Sequence, residues 1–282
     1  MEPNLVEIFG SYTSWKLTEN TWIISFMGGS EYMYLLEGEE KALLLDTGYG
    51  TNTLHDHVRR LTDKPLVVAN THFHPDHAAG NGEFEAVYMS RGEILDRPSI
   101  NPCDPFDLSA LPHPDYEKRY IGDGDVIELG GRTIEVLEVL PAHCNSSLFF
   151  FDRKNGMFFT GDELESTQVL LYDNSKNPDA PYDVDERLAN LKKNAERIKS
   201  YAPQIRYLLP NHNGTPIALS YIDDMIGLVD HIYLGDAVIE DKLNHRFIEM
   251  DPVAPELCRV RYGNISIFIK KKDVMEVYGS RA

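Results

Sequence analysis

The chain has 282 residues, of which 42% are hydrophobic and 26% charged, as in an ordinary globular protein. Its 45 acidic and 27 basic residues give a formal net charge of -18. Such a charge repels polyphosphate and anionic membranes, and the one dense basic run, at 270–272, lies near the end of the chain. The composition therefore argues against nucleic acid and membrane surfaces as partners.

The cysteines and the apolar runs of the sequence indicate in which cellular compartment the protein is expected. Cys103, Cys144 and Cys258 are widely spaced and odd in number, which does not suit a disulfide framework. The first 27 residues lack a basic start followed by an apolar stretch, so we see no secretory signal. No apolar run approaches the roughly 20 residues that a membrane helix requires. We therefore expect a cytoplasmic protein.

The first predicted elements are two strands and a helix. Short apolar runs at 32–36 and 41–46, separated by EGEE, predict a strand hairpin. The following DTGYGTNT interrupts the strand with two glycines and offers Thr51 or Asn52 as a helix cap. The pattern at 54–61 is typical of a helix. Strands and helices therefore alternate from the start of the chain.

The remaining elements continue this alternation. The run PLVVANT at 65–71 predicts a buried strand. Turn signals flanked by apolar or aromatic runs predict three hairpins, and amphipathic or apolar periods predict two further helices. These are hairpins at 126–140, 147–162 and 258–271, helices at 185–200 and 219–236, and a strand at 205–211.

Two segments lack clear periodicity. The first, 97–120, is rich in proline, and the second, 163–184, is polar. Long irregular segments in a compact α/β chain often carry function, so both are candidate substrate loops. The alternative, that they are plain surface connections, stays open.

The motif HFHPDH follows directly on the strand at 65–71. His72 and His74 alternate along an extended segment and so point the same way. Pro75 favours an extended His74 and bends the chain after it, which turns Asp76 and His77 toward the same space. Imidazole and carboxylate groups suit zinc, and also iron or manganese. Four such groups in six residues at a strand end predict part of a metal site.

Three later segments place a polar side chain directly after a strand. These side chains are His143 in LPAHCNSS, Asp162 in FFTGDE and His212 in LLPNHNG. Each signal is weak alone. Together with the first motif they supply five histidines and two aspartates, enough for two metals that share one carboxylate.

This combination resembles the metallo-β-lactamase superfamily. The HFHPDH motif, then His143, Asp162 and His212, match the order and spacing of that family's motifs. The stretch YMYLLEGEEKALLLDTG is similar to its opening hairpin, with Asp46 in the Asp-Thr-Gly position. The likeness covers roughly residues 20–215.

The resemblance implies a fold and a set of ligands. The fold would be of the α/β (α+β) class, an αββα four-layer sandwich of two mixed β-sheets flanked by helices. We expect one domain over 1–282, with 216–282 as a C-terminal helix and hairpin extension. Asp46 would orient the His-rich loop. The first metal would be bound by His72, His74 and His143, the second by Asp76, His77 and His212, and Asp162 would bridge the two.

The implied chemistry is hydrolysis. Two cations about 3.5–4 Å apart clamp a hydroxide between them, because binding lowers the pKa of water to about 7. Asp76 would be the catalytic residue that orients this hydroxide and moves a proton to the leaving group. The cofactors would be two divalent ions, zinc first, with iron or manganese as alternatives.

Other polar residues have simpler explanations. Cys144, beside His143, is expected to be a buried small residue, because neighbouring side chains of an extended segment point apart. His55 and His57 fall on the predicted helix and are expected on its surface. Tyr172, Asn213 and His113 are candidate substrate contacts, although residues of this kind in loops more often simply pack.

The resemblance also limits the range of activities to be expected. True β-lactamases of the superfamily carry cysteine or serine where this chain has Asp162, which argues against them. Glyoxalase II, lactonases and thioesterases share the bridging aspartate, although lactonases often carry tyrosine where this chain has Glu165. The leading prediction is a dinuclear hydrolase of an ester, thioester or lactone of a small molecule, with that small-molecule substrate as its expected partner. The alternatives are a phosphodiesterase or nuclease, a mononuclear-iron persulfide dioxygenase, and a metal-stabilised scaffold. A homodimer could form through 97–120 or the C-terminal hairpin.

Overall fold

The computed structural model describes residues 6–29, 31–96, 108–172, 182–244, 249 and 253–279. The strands, in chain order, are β1 (Val6–Phe9), β2 (Tyr12–Thr18), β3 (Thr21–Phe26), β4 (Glu31–Glu37), β5 (Ala42–Leu45), β6 (Leu66–Ala69), β7 (Ala86–Met89), β8 (Glu117–Tyr120), β9 (Val126–Glu128), β10 (Thr133–Glu138), β11 (Leu148–Asp152), β12 (Met157–Gly161), β13 (Val169–Leu170), β14 (Tyr207–Pro210), β15 (Val238–Glu240), β16 (Leu257–Tyr262) and β17 (Ile265–Lys270). The helices are α1 (Leu54–Leu61), α2 (Pro75–Ala78), α3 (Val184–Tyr201), α4 (Ser220–Leu234) and α5 (Lys271–Gly279). Within this part of the chain, no helix combines the length and the apolar character needed to cross a membrane.

The strands form three sheets. Strands β1 to β8 form the first in sequence order, antiparallel as far as β5 and parallel from β5 onward. The second has the order β14-β12-β11-β10-β9, with β12 and β14 parallel. The third has the order β13-β17-β16-β15, with β13 and β17 parallel. All three are therefore mixed sheets.

The first two sheets pack face to face, and helices cover their outer faces. Side chains such as Tyr34, Leu45 and Phe150 fill the space between the sheets. Helix α1 packs its apolar residues on the outer face of the first sheet, and α3 and α4 cover the second sheet. This arrangement confirms the predicted αββα sandwich.

The third sheet was not expected. The predicted hairpin at 258–271 is present as β16 and β17, but it also pairs with β15 and with β13. Strand β13 comes from the segment 163–184 and has two residues, too few to give a sequence pattern. The third sheet packs with α4 and α5 on the far side of the second sheet, so that the C-terminal part shares one apolar core with α3.

The irregular segment 97–120 is a loop only in part. Residues 97–107 lie outside the described residues, as do 173–181 of the second candidate loop. Strand β8 lies within the first segment and pairs in parallel with β7 at the edge of the first sheet. Its sequence, EKRY, is polar because both its faces are partly exposed, and this hides it from a search for apolar runs.

Two predictions about α1 were wrong. The helix follows Thr53, and neither Thr51 nor Asn52 caps it. The Glu83 carboxylate instead accepts the backbone N–H of His55. His57 is buried rather than on the surface, with Nε2 2.5 Å from Ser14 Oγ. It lies three residues after the buried Leu54, so the helical period itself places it on the buried face.

Candidate metal centre

The HFHPDH motif leaves the C-terminal end of β6. His74 is extended and stands immediately before α2, and Pro75 is the first residue of that helix, as predicted from the sequence. The small residues after the motif allow a close approach: a Cβ built on Gly80 would lie 2.1 Å from the Thr47 carbonyl oxygen. The motif is therefore held against the loop that carries Asp46.

Three histidines form one group of potential ligands. Nε2 of His143 lies 2.9 Å from Nδ1 of His74. The ring of His72 lies beside both, with centroids 4.8 Å from His74 and 5.2 Å from His143. One nitrogen from each ring lies within 4.8 Å of the others, a spacing suited to a shared cation.

A second group lies beside the first. Nε2 of His77 lies 3.0 Å from Nε2 of His212. Oδ2 of Asp76 lies 3.4 Å from His77 Nε2 and 3.3 Å from His212 Nε2. Two imidazoles and one carboxylate thus converge on a second point.

Asp162 lies between the two groups. Its Oδ2 lies 3.6 Å from His72 Nε2 and 3.7 Å from His143 Nε2 on one side. On the other side it lies 3.3 Å from His77 Nε2 and 3.4 Å from His212 Nε2. Four imidazoles from two groups face one oxygen atom, which is the arrangement that a bridging carboxylate requires.

The backbone just before Asp162 is adapted to this position. Gly161 has φ of +55°, and a Cβ there would lie 3.2 Å from Thr71 Cβ and Oγ1. Glycine adopts this conformation without strain and leaves room for the loop after β6. Gly161 therefore meets a packing requirement, the close approach to Thr71, and Asp162 supplies the carboxylate of the candidate centre.

Asp46 holds the loop after β6 in place through hydrogen bonds. Its Oδ1 accepts the backbone N–H of Thr71 at 2.7 Å. Its Oδ2 accepts from Thr71 Oγ1 and from Asn211 Nδ2, both at 2.6 Å, and lies 3.5 Å from His77 Nδ1. Asp46 itself has φ of +64°, a left-handed conformation that aspartate tolerates better than most residues. It thus joins the loops that carry His72, His77 and His212.

Hydrogen bonds to the outer ring nitrogens fix two tautomers. A carbonyl oxygen only accepts, so His143 Nδ1 is the protonated nitrogen that donates to Leu170 O at 2.8 Å. Thr71 Oγ1 gives its proton to Asp46 and therefore accepts from His72 Nδ1 at 3.1 Å. In both rings Nε2 is left with its lone pair facing the centre, as a metal ligand requires.

The donor set fits divalent cations. Nε2 of His72 and Oδ1 of Asp162 are buried and have no hydrogen-bond partner among the described residues. An unsatisfied buried acceptor costs about 1–3 kcal/mol, and a cation would satisfy it. Five imidazoles and two carboxylates are ligands that zinc, iron and manganese accept. The residues present therefore fit the group that the sequence implied.

The protonation of the two groups differs. Burial lowers the pKa of His143 to about 4 and that of His72 well below its usual value. Burial also opposes the charged form of His77 and His212, but the nearby carboxylates, above all Asp162, outweigh it and raise both pKa values. Without cations the second group thus binds protons, and metal binding would release them.

The predicted substrate contacts lie outside these ligand groups. Tyr172 is buried in an apolar cluster with Leu257 and Phe268 of the third sheet. The side-chain amide of Asn213 donates to Glu165 at 2.5 Å. His113 is half-buried, and its backbone N–H donates to the Gly82 carbonyl. A substrate role for these three remains a prediction.

Cys144 agrees with the simpler explanation. It is buried, with Sγ 3.0 Å from Ser147 Oγ, and it lies outside the ligand groups. Burial raises the pKa of its thiol well above the usual value. It therefore behaves as a small core residue.

Several buried polar residues near the centre were missed. Asn211 and Thr71 hold Asp46, and Glu163 and Glu165 follow Asp162 into the interior. The run GDELES could have signalled the last two, because glutamates directly after an apolar strand need buried partners. Glu31, at the start of β4, is fully buried and carries no such signal in the sequence.

Comparison with known proteins supports this arrangement. Residues 27–198 match the model of the metallo-beta-lactamase superfamily. The acyl-coenzyme A thioesterase MBLAC2 of Gallus gallus is 26% identical over 181 residues, 55% of this chain and 62% of the relative. A hydroxyacylglutathione hydrolase of Erythrobacter litoralis is 30% identical over 95 residues, 34% of this chain and 32% of the relative.

The chain thus spans less than two thirds of the length of either relative. Among solved structures, a metallo-beta-lactamase family protein from Thermus thermophilus superposes with a TM-score of 0.56 over 78% of this chain and 82% of that protein, at 17% identity. That likeness is one of fold. Since the family match covers more than half of the residues, the chain belongs to the metallo-β-lactamase superfamily.

Proposed function

We propose that this protein is a dinuclear metal-dependent hydrolase that cleaves an ester, thioester or lactone bond of a small molecule. The observation that carries the proposal is the position of Asp162, whose Oδ2 lies within 3.7 Å of four histidine nitrogens from two ligand groups. The names of the two relatives, a thioesterase and a hydroxyacylglutathione hydrolase, support an acyl bond and favour a thioester.

Seven side chains would hold the cofactors. His72, His74 and His143 would bind one divalent cation, Asp76, His77 and His212 the other, and Asp162 both. Zinc is the proposed metal, because imidazole and carboxylate ligands suit it, with iron or manganese as alternatives. When bound, such cations supply hydroxide at neutral pH and polarise a carbonyl oxygen.

The chain's own residues prepare and orient the reaction. Asp162 is almost fully buried, whereas the side chains of Asp76 and His212 are 27% and 17% exposed. Asp76 and His212 are therefore more open to solvent and substrate than Asp162 is. The Asp76 carboxylate can take the proton of the attacking water and pass it to the leaving group, since Asp76 is more accessible than Asp162. Asp46 keeps the loop of His72 and His77 in place during these steps.

The partner, the cellular compartment and the oligomeric state of the protein are also proposals. The net charge of -18 opposes binding to nucleic acid, and this favours a small-molecule substrate over a polynucleotide. We propose that the protein works in the cytoplasm. A homodimer is a second proposal, to be tested by light scattering.

The proposed activity is tested with a substrate panel. Purified protein is assayed against p-nitrophenyl esters, short acyl thioesters, lactones and bis(p-nitrophenyl) phosphate. We expect acyl hydrolysis that His72→Ala lowers at least 100-fold. His55→Ala, on the exposed side of α1, is the matched control and should leave the rate unchanged.

Three results would overturn the assignment. Turnover confined to the phosphodiester would indicate the phosphodiesterase alternative. Oxygen consumption with a persulfide and one iron per chain would indicate the dioxygenase. Full activity in the His72→Ala variant would show that the metal centre takes no part in the reaction.

A further inference from the structure

The segment that follows β12, Asp162 to Ser166, is buried throughout. It contains two glutamates besides the bridging aspartate, and buried carboxylates are rare unless they are paired. Neither is among the seven expected ligands, so their burial needs another explanation.

Glu163 holds the loop that carries His143. Its Oε1 accepts the backbone N–H of His143 at 3.2 Å. Its Oε2 accepts from Asn194 Nδ2 on helix α3, also at 3.2 Å. Asn194 in turn exchanges two hydrogen bonds with the backbone of Leu140, at 2.8 and 3.0 Å. Glu163 and Asn194 therefore hold the connection between β10 and His143 against α3, Asn194 at Leu140 and Glu163 at His143.

Glu165 holds the loop that carries His212. Its Oε2 accepts from Asn213 Nδ2 at 2.5 Å, and the neighbouring Ser166 donates its hydroxyl to the Asn213 carbonyl. Asn213 has φ of +60°, a conformation that needs such support. His212 directly precedes it and thus takes its position from Glu165 and Ser166.

We infer that Glu163 and Glu165 are positioning residues with divided tasks, Glu163 for the cation of the His143 group and Glu165 for the cation of the His212 group. The inference rests on the proposed dinuclear function. One short segment then carries the bridging ligand and sets one ligand loop on each side of it. Residues that orient ligands in this way change metal affinity about 10–100-fold when they are lost.

The test measures the two metal affinities separately. Chelator-treated protein is titrated with Co²⁺, and absorption spectra and calorimetry report each binding step. Reference variants His143→Ala and His212→Ala identify which spectrum belongs to which group. We expect Glu163→Ala to weaken the His143 group at least 10-fold with less than a threefold change at the other. Glu165→Ala should do the reverse.

Two further variants keep the test decisive. Glu163→Gln and Glu165→Leu preserve side-chain volume, so they replace an alanine variant that does not fold. Glu163→Gln keeps one of two acceptor oxygens and should show the same selectivity with a smaller effect. Glu165→Leu removes the acceptor of Asn213 Nδ2 and should act as Glu165→Ala does. Asp152→Asn is the matched control, because that buried carboxylate binds Arg132 at 2.7 Å and lies at the end of β11, beside the start of β12 and away from Asp162. It should lower stability and leave both affinities unchanged.

The outcomes separate this inference from the proposed function. If the parent protein binds two Co²⁺ ions and the glutamate variants bind both as tightly, the inference is wrong and the dinuclear proposal stands. Equal weakening of both sites, or weakening by Asp152→Asn as well, would show that affinity only follows stability, and it would also overturn the inference. A parent protein that binds no Co²⁺ would overturn both.

Discussion

Asp46 provides the sharpest test of how the centre is held together. Replacing it with alanine removes the acceptor of three buried donors, the Thr71 N–H, the Thr71 hydroxyl and the Asn211 amide. Each unsatisfied buried donor costs about 1–3 kcal/mol, and part of this is recovered by water that enters the space left. Alanine in the left-handed conformation at this position adds about 1 kcal/mol.

These contributions predict that Asp46→Ala lowers the free energy of unfolding by about 4 kcal/mol. Asp46→Asn keeps one carbonyl acceptor and tolerates the left-handed conformation, so a loss of about 1–2 kcal/mol is expected. The measurement is urea unfolding of chelator-treated protein, followed by circular dichroism, so that metal binding does not contribute to the difference. Asp56→Ala, an exposed carboxylate on α1, is the control and should change the value by less than about 0.5 kcal/mol.

A difference between Asp46→Ala and the parent protein below about 1 kcal/mol would refute this reasoning, since it would mean that the three donors find other partners freely. We also expect Asp46→Asn to weaken the affinity for the cation of the His77 group, and an unchanged affinity would refute this part of the reasoning. That carboxylate lies 3.5 Å from His77 Nδ1 and should orient the ring.

Two further predictions concern packing and pH. Gly80→Ala would push a Cβ to within 2.1 Å of the Thr47 carbonyl oxygen, and we expect a loss of about 2–3 kcal/mol in urea unfolding; Gly122→Ala, with nothing within 4 Å of its Cβ, should be neutral. Burial lowers the pKa of His57 to about 4, so the unfolded chain binds more protons than the folded chain between pH 4 and 6.5. The free energy of unfolding should therefore fall as the pH drops through this window, by up to about 3 kcal/mol from His57. This pH-dependent loss should be smaller in His57→Gln. Parallel curves of unfolding free energy against pH for the two proteins would contradict the prediction.

Much of the sandwich was predictable because its strands are buried runs bounded by strong turn signals. The Asn-Gly turn between β11 and β12 and the run before the HFHPDH motif are local signals that tertiary contacts do not override. The polar side chains of the candidate centre could be singled out for a related reason, since they lie at or shortly after strand ends: Asp162 directly follows β12, and His212 lies two residues after β14. Their role as metal ligands stays a prediction.

What the sequence did not show depends on contacts between distant segments. Strand β13 exists only because β17 lies beside it, and β8 is polar because it lies at an edge. The carboxylate that accepts a free N–H at the start of α1 belongs to Glu83, 28 residues from that N–H. Glu163 and Glu165 could be recognised only after the loops of His143 and His212 had been placed next to them.

The central claim, a centre for two cations that performs hydrolysis, is tested most directly by counting metal ions. Protein purified without chelator is analysed for elemental content before and after dialysis against chelator, and acyl hydrolysis is measured on the same samples. We predict about two divalent ions per chain, with metal and activity lost and restored together. Activity that persists in protein with no more than trace metal would contradict the account.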